Sequence, residues 1–197
     1  MLELILIRHG ETDSNIRGSY LGWTDIELNE TGLSQVRILR DRLKNTKIDK
    51  IYSSPLKRAM QTADIINENY RLDIVYTDGL KERNFGIWDD LTLAEMTQRY
   101  PSEYNAWISD WIKYPITDGE SAIEAYNRSA EFVRELIEKN TEGVFMLVTH
   151  LGTIRFLLAY LLDLGIESSW HFRVDNASIT KVEISDGYSV LTRLNNR

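Results

Sequence analysis

Two of the three histidines in the chain stand in matching places. Arg8-His9-Gly10-Glu11-Thr12 follows directly on the apolar run Leu4–Ile7, and Thr149-His150-Leu151-Gly152-Thr153 follows Val144–Val148. In open α/β sheets the carboxyl ends of strands are where ligands bind. A single histidine after a strand is more often a hydrogen-bonded structural residue than a catalyst. Two in equivalent places, each with a glycine within two residues that lets the backbone approach a bound group, point to one shared site. A third junction, Ser53–Ala63, places Arg58 in the first turn of a helix, where free N–H groups and a planar guanidinium suit an anion such as phosphate. Taken alone, Arg58 reads as a solvated surface charge. Glu82, within Leu80–Gly86, reads alone as a solvated loop carboxylate. Facing a phosphoester in a half-enclosed pocket, it would instead hold a proton for a leaving alcohol. Together, two arginines, two histidines and a glutamate supply an anion cradle, a nucleophile and an acid without any metal.

The elements that must position these residues alternate along the chain. Strand-length apolar runs occur at Leu4–Ile7, Ile48–Tyr52, Ile74–Tyr76, Val144–Val148, Ile179–Ile184 and Val190–Leu194. Between them Leu33, Val36, Leu39 and Leu43 repeat at helical spacing after Gly32. Ser54-Pro55 offers an N-cap with proline at the first helical position. Ala122, Tyr126, Ala130, Val133 and Ile137 mark a longer amphipathic helix, and Ile154–Leu164 is apolar nearly all round, as in a deeply buried helix. This order predicts an α/β fold, a three-layer α/β/α sandwich with a mostly parallel sheet. Residues 91–118 depart from the alternation, with Tyr100, Tyr104, Trp107, Trp111, Tyr114 and two of the three prolines, and read as a small helical insertion within one domain spanning 1–197.

Composition excludes several classes. The formal charge of −7, from 23 basic and 30 acidic residues, argues against electrostatic binding to nucleic acid. With no cysteine there is no disulfide, thiol nucleophile, iron–sulfur cluster or thiolate zinc site. Leu4–Ile7 is too short for a signal-peptide core and Phe156–Leu162 too short to span a membrane, so a soluble, cytoplasmic protein is expected. Oligomeric state is not legible.

The four ordered motifs, Arg8–Thr12, Ser53–Ala63, Leu80–Gly86 and His150, resemble the histidine phosphatase (phosphoglycerate mutase-like) superfamily over nearly the whole chain. The resemblance implies that His9 is a nucleophile forming a phosphohistidine, that Arg8, Arg58, His150 and Asn15 hold the phosphoryl oxygens, and that Glu82 is the general acid. The adjacent arginines should keep His9 neutral and nucleophilic. His150 is under tension, because it donates best as a cation yet sits beside two arginines. The histidines and Glu82 should therefore titrate as a coupled set and give a bell-shaped rate profile. Neither metal nor cofactor is needed. One departure is Leu151, where many relatives have a second glycine; its side chain either narrows the pocket or points into the core.

At 197 residues the chain is shorter than typical phosphoglycerate mutases, so water is the expected acceptor and a small phosphomonoester the substrate. Tyr104–Trp107, Asp110-Trp111, Trp170–Val174 and Leu194–Arg197 resemble the α-ribazole phosphatases, which implies removal of the 5′-phosphate of α-ribazole 5′-phosphate in cobalamin biosynthesis. Tyr104, Trp107 and Trp111 fall at i, i+3 and i+7. That face could stack on a flat base, and the same spacing serves core packing of the insertion. By the same analogy Leu21 and Gly22 contact substrate, although Gly22 also reads as turn punctuation. His171 has no role beyond a structural one. The alternatives are a broad-specificity phosphatase, a sugar bisphosphatase or a mutase on the same fold. A noncatalytic phospholigand binder would have no need of His9 and Glu82, and in a metallohydrolase using His9, His150 and Glu82, Arg8 and Arg58 would repel the ion.

Overall fold

The computed structural model describes residues 1–197. In chain order the elements are β1 (Leu2–Arg8), α1 (Asp13–Arg17), α2 (Glu30–Leu43), β2 (Lys50–Ser53), α3 (Lys57–Asn67), β3 (Ile74–Tyr76), α4 (Leu93–Arg99), α5 (Pro101–Ser109), α6 (Ala122–Lys139), β4 (Gly143–Thr149), α7 (Leu151–Leu161), β5 (Ile179–Ser185) and β6 (Tyr188–Asn196). Short 3₁₀ turns cover Asp78–Leu80, Gly86–Trp88 and Ile166–His171. One sheet has the order β3-β2-β4-β1-β5-β6. Its first four strands run parallel, while β5 and β6 add an antiparallel flank.

Period-two alternation in β1 builds the two outer layers. Leu4 and Leu6 face α6 and α7, packing with Leu147, Val133, Ile154 and Leu157, all buried. Ile5 and Ile7 face α2 and α3, packing with Val148, Val36, Leu39, Ala63 and Ile66. Because both faces of β1 are covered, it reads as a continuous apolar run rather than an alternating one. Each such aliphatic side chain contributes about 1.5–3 kcal/mol through its removal from water.

Helices α4 and α5 form in the 91–118 stretch, and their small core centres on Trp88, Met96 and Ile116. Two local expectations are corrected. The helix after β2 begins at Lys57 with Leu56 as N-cap, not at Ser54-Pro55; the Ser54 oxygen accepts from Leu56 N, in a turn that precedes the helix, and is shared with His150. Helix α5 ends at Ser109, and Asp110 leaves helical geometry at φ −152°, ψ 72°. Trp111 therefore does not continue the face of Tyr104 and Trp107; it packs instead edge-on against Trp170, with ring centroids 5.6 Å apart.

Candidate active site

Sheet register brings the two histidines together. In the parallel pair β1–β4, Arg8 stands opposite Thr149, so the next residues, His9 and His150, leave the sheet side by side with ring centroids 5.1 Å apart. In β2, Ser53 stands opposite Val148, which carries Ser54 to the same end. Its Oγ bonds His150 Nε2 at 2.8 Å and accepts from Leu56 N at 3.3 Å. His9 Nδ1 bonds the carbonyl of Gly10 at 2.7 Å. A carbonyl only accepts, so that nitrogen carries the ring proton and Nε2 keeps the lone pair. His150 Nδ1 is buried and has no partner.

Arg58 and Arg8 lie closest to this pair, and Arg83 and Arg155 stand on the rest of the site. Arg58 is fully buried and donates to the Gly22 and Thr24 carbonyls at 2.6 and 3.0 Å. Arg8 donates to Val174 O at 2.7 Å. The Nε atoms of both are buried without a partner. Burial lowers Arg8, Arg58 and Arg83 to about 10, where they remain cationic at neutral pH. Burial first, then the charges of Arg58 and Arg8, pushes His9 well below the usual imidazole value. His150 is lowered likewise by burial and then Arg58. Arg155, lowered by burial, completes the set.

Glu82 lies opposite, at the N-terminus of α7. Its Oε1 accepts from Arg83 N and its Oε2 from Gly152 N, each at 2.9 Å. The loop bearing it is pinned from three sides: Thr149 Oγ1 donates to Leu80 O at 2.5 Å, Thr153 Oγ1 to Lys81 O at 2.8 Å, and Arg128 to Glu82 O at 3.2 Å. The two glycines make room for protein rather than for a bound group. A Cβ on Gly10 would lie 2.7 Å from the Gly32 carbonyl, and one on Gly152 would lie 2.5 Å from Glu82 Oε1.

These groups open on a cavity of about 350 Å³ lined by 19 residues. Of the residues singled out in the sequence, Arg8, His9, Asn15, Leu21, Glu82, Trp107 and Trp111 line it. Arg58 and His150 are fully buried and are not among its lining residues; the His150 ring packs beside His9, which lines it. Gly22 is outside it, its amide held by Asp89 at 2.7 Å and its carbonyl by Arg58. Leu151 does both things considered for it, lining the cavity while packing against the core beside α7. His171 is exposed and away from the cavity, so it is no core residue. Sequence reasoning gave no site role to Arg83, Arg155 and Phe85 on the wall, nor to Trp170, noted only within the Trp170–Val174 resemblance, nor to Asn176 beneath it. The Asn176 amide donates to His9 O, Gly10 O and Asn15 Oδ1 at 3.1, 3.3 and 3.0 Å. Because Thr12 N also donates to Asn15 Oδ1, the Asn15 amide nitrogen is left to face the cavity. Asn176 lies in a loop with no periodicity, so no sequence signal marks it. Arg155 was findable, one helical turn beyond Leu151 on α7. No cluster of three His, Asp or Glu side chains spaced to hold a metal ion occurs.

Residues 4–197 match the family model of the histidine phosphatase superfamily (branch 1), and the chain belongs to that family. It is a phosphatase with a phosphoglycerate mutase-like α/β fold. It is 32% identical to phosphoserine phosphatase 1 of Hydrogenobacter thermophilus, over 99% of this chain and 92% of that one. It is equally 32% identical to the adenosylcobalamin/α-ribazole phosphatase of Salmonella typhimurium, over 100% and 97% of the two chains. Among solved structures it superposes on the α-ribazole phosphatase of Shigella flexneri with a TM-score of 0.93 at 31% identity, covering 98% of this chain and 96% of the other.

Proposed function

We propose that this protein hydrolyses phosphomonoesters through a phosphohistidine on His9, and that its substrate is α-ribazole 5′-phosphate. The observation that carries the mechanism is the bond from His9 Nδ1 to Gly10 O, which leaves Nε2 unprotonated in a residue lining the cavity. In the first step Nε2 attacks phosphorus, the P–O bond to the alcohol breaks, and Glu82 gives its proton to the leaving oxygen. In the second, water attacks phosphorus, Glu82 takes a proton from it, and the P–N bond breaks to release inorganic phosphate. Each Glu82 oxygen uses one lone-pair direction for a backbone N–H, and the other carries the transferred proton.

The unpartnered Nε atoms of Arg8 and Arg58 and the free amide of Asn15 supply donors to the equatorial oxygens, where charge must be held during transfer. His150 resolves its tension without becoming a cation. Ser54 Oγ has no acceptor within reach other than His150 Nε2, so its hydroxyl hydrogen turns to that nitrogen, and the neutral ring donates from Nδ1. The aromatic wall of Phe85, Trp107, Trp111 and Trp170 suits a flat base, at about 0.5–1.5 kcal/mol beyond area burial for each good contact. A second reading, a phosphoester bearing a carboxylate such as phosphoserine, is favoured by Arg83 and Arg155 on the same wall.

Rapid quenching with ³²P-labelled substrate, in EDTA throughout, should trap an acid-labile, base-stable adduct in the wild type and none in His9→Ala, which should be folded and without turnover. Absence of the adduct from an active wild type sinks the mechanism. The ratio of kcat/KM for α-ribazole 5′-phosphate to that for phosphoserine decides between the two substrates.

A further inference from the structure

Between the cavity wall and Arg58 runs a three-residue strap, Gly22-Trp23-Thr24, whose two backbone edges are used by opposite charges. On one edge a single carboxylate, Asp89, accepts all three amides: Gly22 N on Oδ1 at 2.7 Å, and Trp23 N and Thr24 N on Oδ2 at 2.7 and 2.8 Å. On the other edge the carbonyls of Gly22 and Thr24 receive the two terminal nitrogens of Arg58. No carboxylate lies within ion-pair distance of Arg58, so these two carbonyls alone fix its guanidinium. The strap has no helix or strand of its own to hold it. Its seat is tight, since a Cβ on Gly22 would lie 2.6 Å from the Arg83 carbonyl. The Trp23 indole also donates to Glu82 O at 2.9 Å. Asp89 follows Trp88, which is 1% exposed at the centre of the insertion core and so anchors the carboxylate firmly.

We infer that Asp89 is a positioning residue for phosphoryl transfer: by holding the strap's amides it sets the carbonyls that orient Arg58 toward the phosphoryl group. The inference rests on the reading that Arg58 binds that group. A carboxylate is required, rather than any acceptor, because three amides converge on two oxygens. An asparagine would turn an NH₂ toward N–H donors and release at least one strand of the strap. Its charge also acts through the strap on the buried cation, for Asp89 is among the acidic groups that favour charged Arg58.

The test is a double-mutant cycle on the full-length protein with an aryl phosphate substrate and vanadate as the oxyanion probe. Asp89→Asn should lower kcat/KM and vanadate affinity by about 10–100-fold, the usual range for a residue that orients a contacting group. Arg58→Ala should lower kcat by about 10²–10³-fold. In the Arg58→Ala background, Asp89→Asn should then change kcat/KM less than about twofold, since acting through one group makes effects non-additive. Asp89→Glu, which keeps the charge, should recover part of the loss, and it replaces the asparagine variant in the cycle if that protein does not fold. A loss from the Asp89 variant of the same size in both backgrounds overturns the inference, as does an unchanged wild-type kcat/KM. An Arg58→Ala enzyme as active as wild type instead refutes the underlying reading of Arg58, and the two failures are told apart by that single variant.

Discussion

Replacing Gly152 with alanine should disable proton transfer while leaving the fold intact. The backbone permits the change, because Gly152 is not among the glycines with positive φ and lies in the first turn of α7. Alanine there raises helix propensity by at most about 1 kcal/mol. The added Cβ would meet Glu82 Oε1 at 2.5 Å, Cδ at 3.2 Å and Oε2 at 3.4 Å. To regain van der Waals contact the carboxylate must retreat by roughly 0.9 Å, and a displacement near 1 Å at a reacting group costs on the order of 10²-fold in rate. The retreat also stretches the 2.9 Å bond from Gly152 N out of reach, which offsets the propensity gain and holds Tm within a few degrees of wild type. The assay compares kcat on an alkyl phosphate, whose leaving oxygen needs a proton, with kcat on 4-nitrophenyl phosphate, whose leaving group does not. A loss near 10²-fold on the first and a far smaller one on the second is expected. A folded variant with unchanged alkyl kcat, or with equal losses on both substrates, refutes the reasoning.

Glu82→Gln should show the same split between substrates. It should also unfold more easily, by about 1–3 kcal/mol in urea denaturation, because one amide oxygen cannot accept from both Arg83 N and Gly152 N. Trp111→Ala should raise KM for α-ribazole 5′-phosphate and leave KM for small phosphoesters unchanged; equal responses would assign Trp111 to packing against Trp170 alone. Stability should fall as the pH is lowered below 6.5. The two buried histidines resist protonation when folded, whereas the unfolded chain takes up the protons. Each therefore contributes up to about 1.4 kcal/mol per pH unit in that window. His9→Ala should show a visibly shallower slope between pH 6.5 and 5 in denaturant titrations, and an unchanged slope would mean that His9 is charged in the folded protein.

Much of this architecture was legible because the central strands β1 and β4 are buried on both faces. Continuous aliphatic runs such as Leu4–Ile7 and Val144–Val148 mark central strands, and all six strands form with ends within two residues of those runs. The shared position of His9 and His150 was readable for the same reason, since parallel strands in register deliver equivalent residues to one edge. Local chemistry was harder to read. Ser54 has the residue type of an N-cap, yet His150, 96 positions away, claims its hydroxyl. The aromatic spacing from Tyr104 to Trp111 fits a helix that stops at Ser109. Asn176 and Asp89 act on backbone groups of distant loops, and neither spacing nor composition encodes such contacts.

The cavity draws its chemical floor from strand ends and part of its distal wall, Phe85 and Trp107, from the cluster around Trp88, while Trp111, Arg155 and Trp170 complete that wall from elsewhere. Only Trp107 and Trp111 of that wall sit on a piece of polypeptide separable from the histidines and Glu82. Grafting residues 93–118 from a relative with another preference, while retaining Trp88 as the joint, should shift preference by the share that Trp107 and Trp111 carry, leaving the phosphoryl-transfer apparatus and the wall formed by Phe85, Arg155 and Trp170 undisturbed.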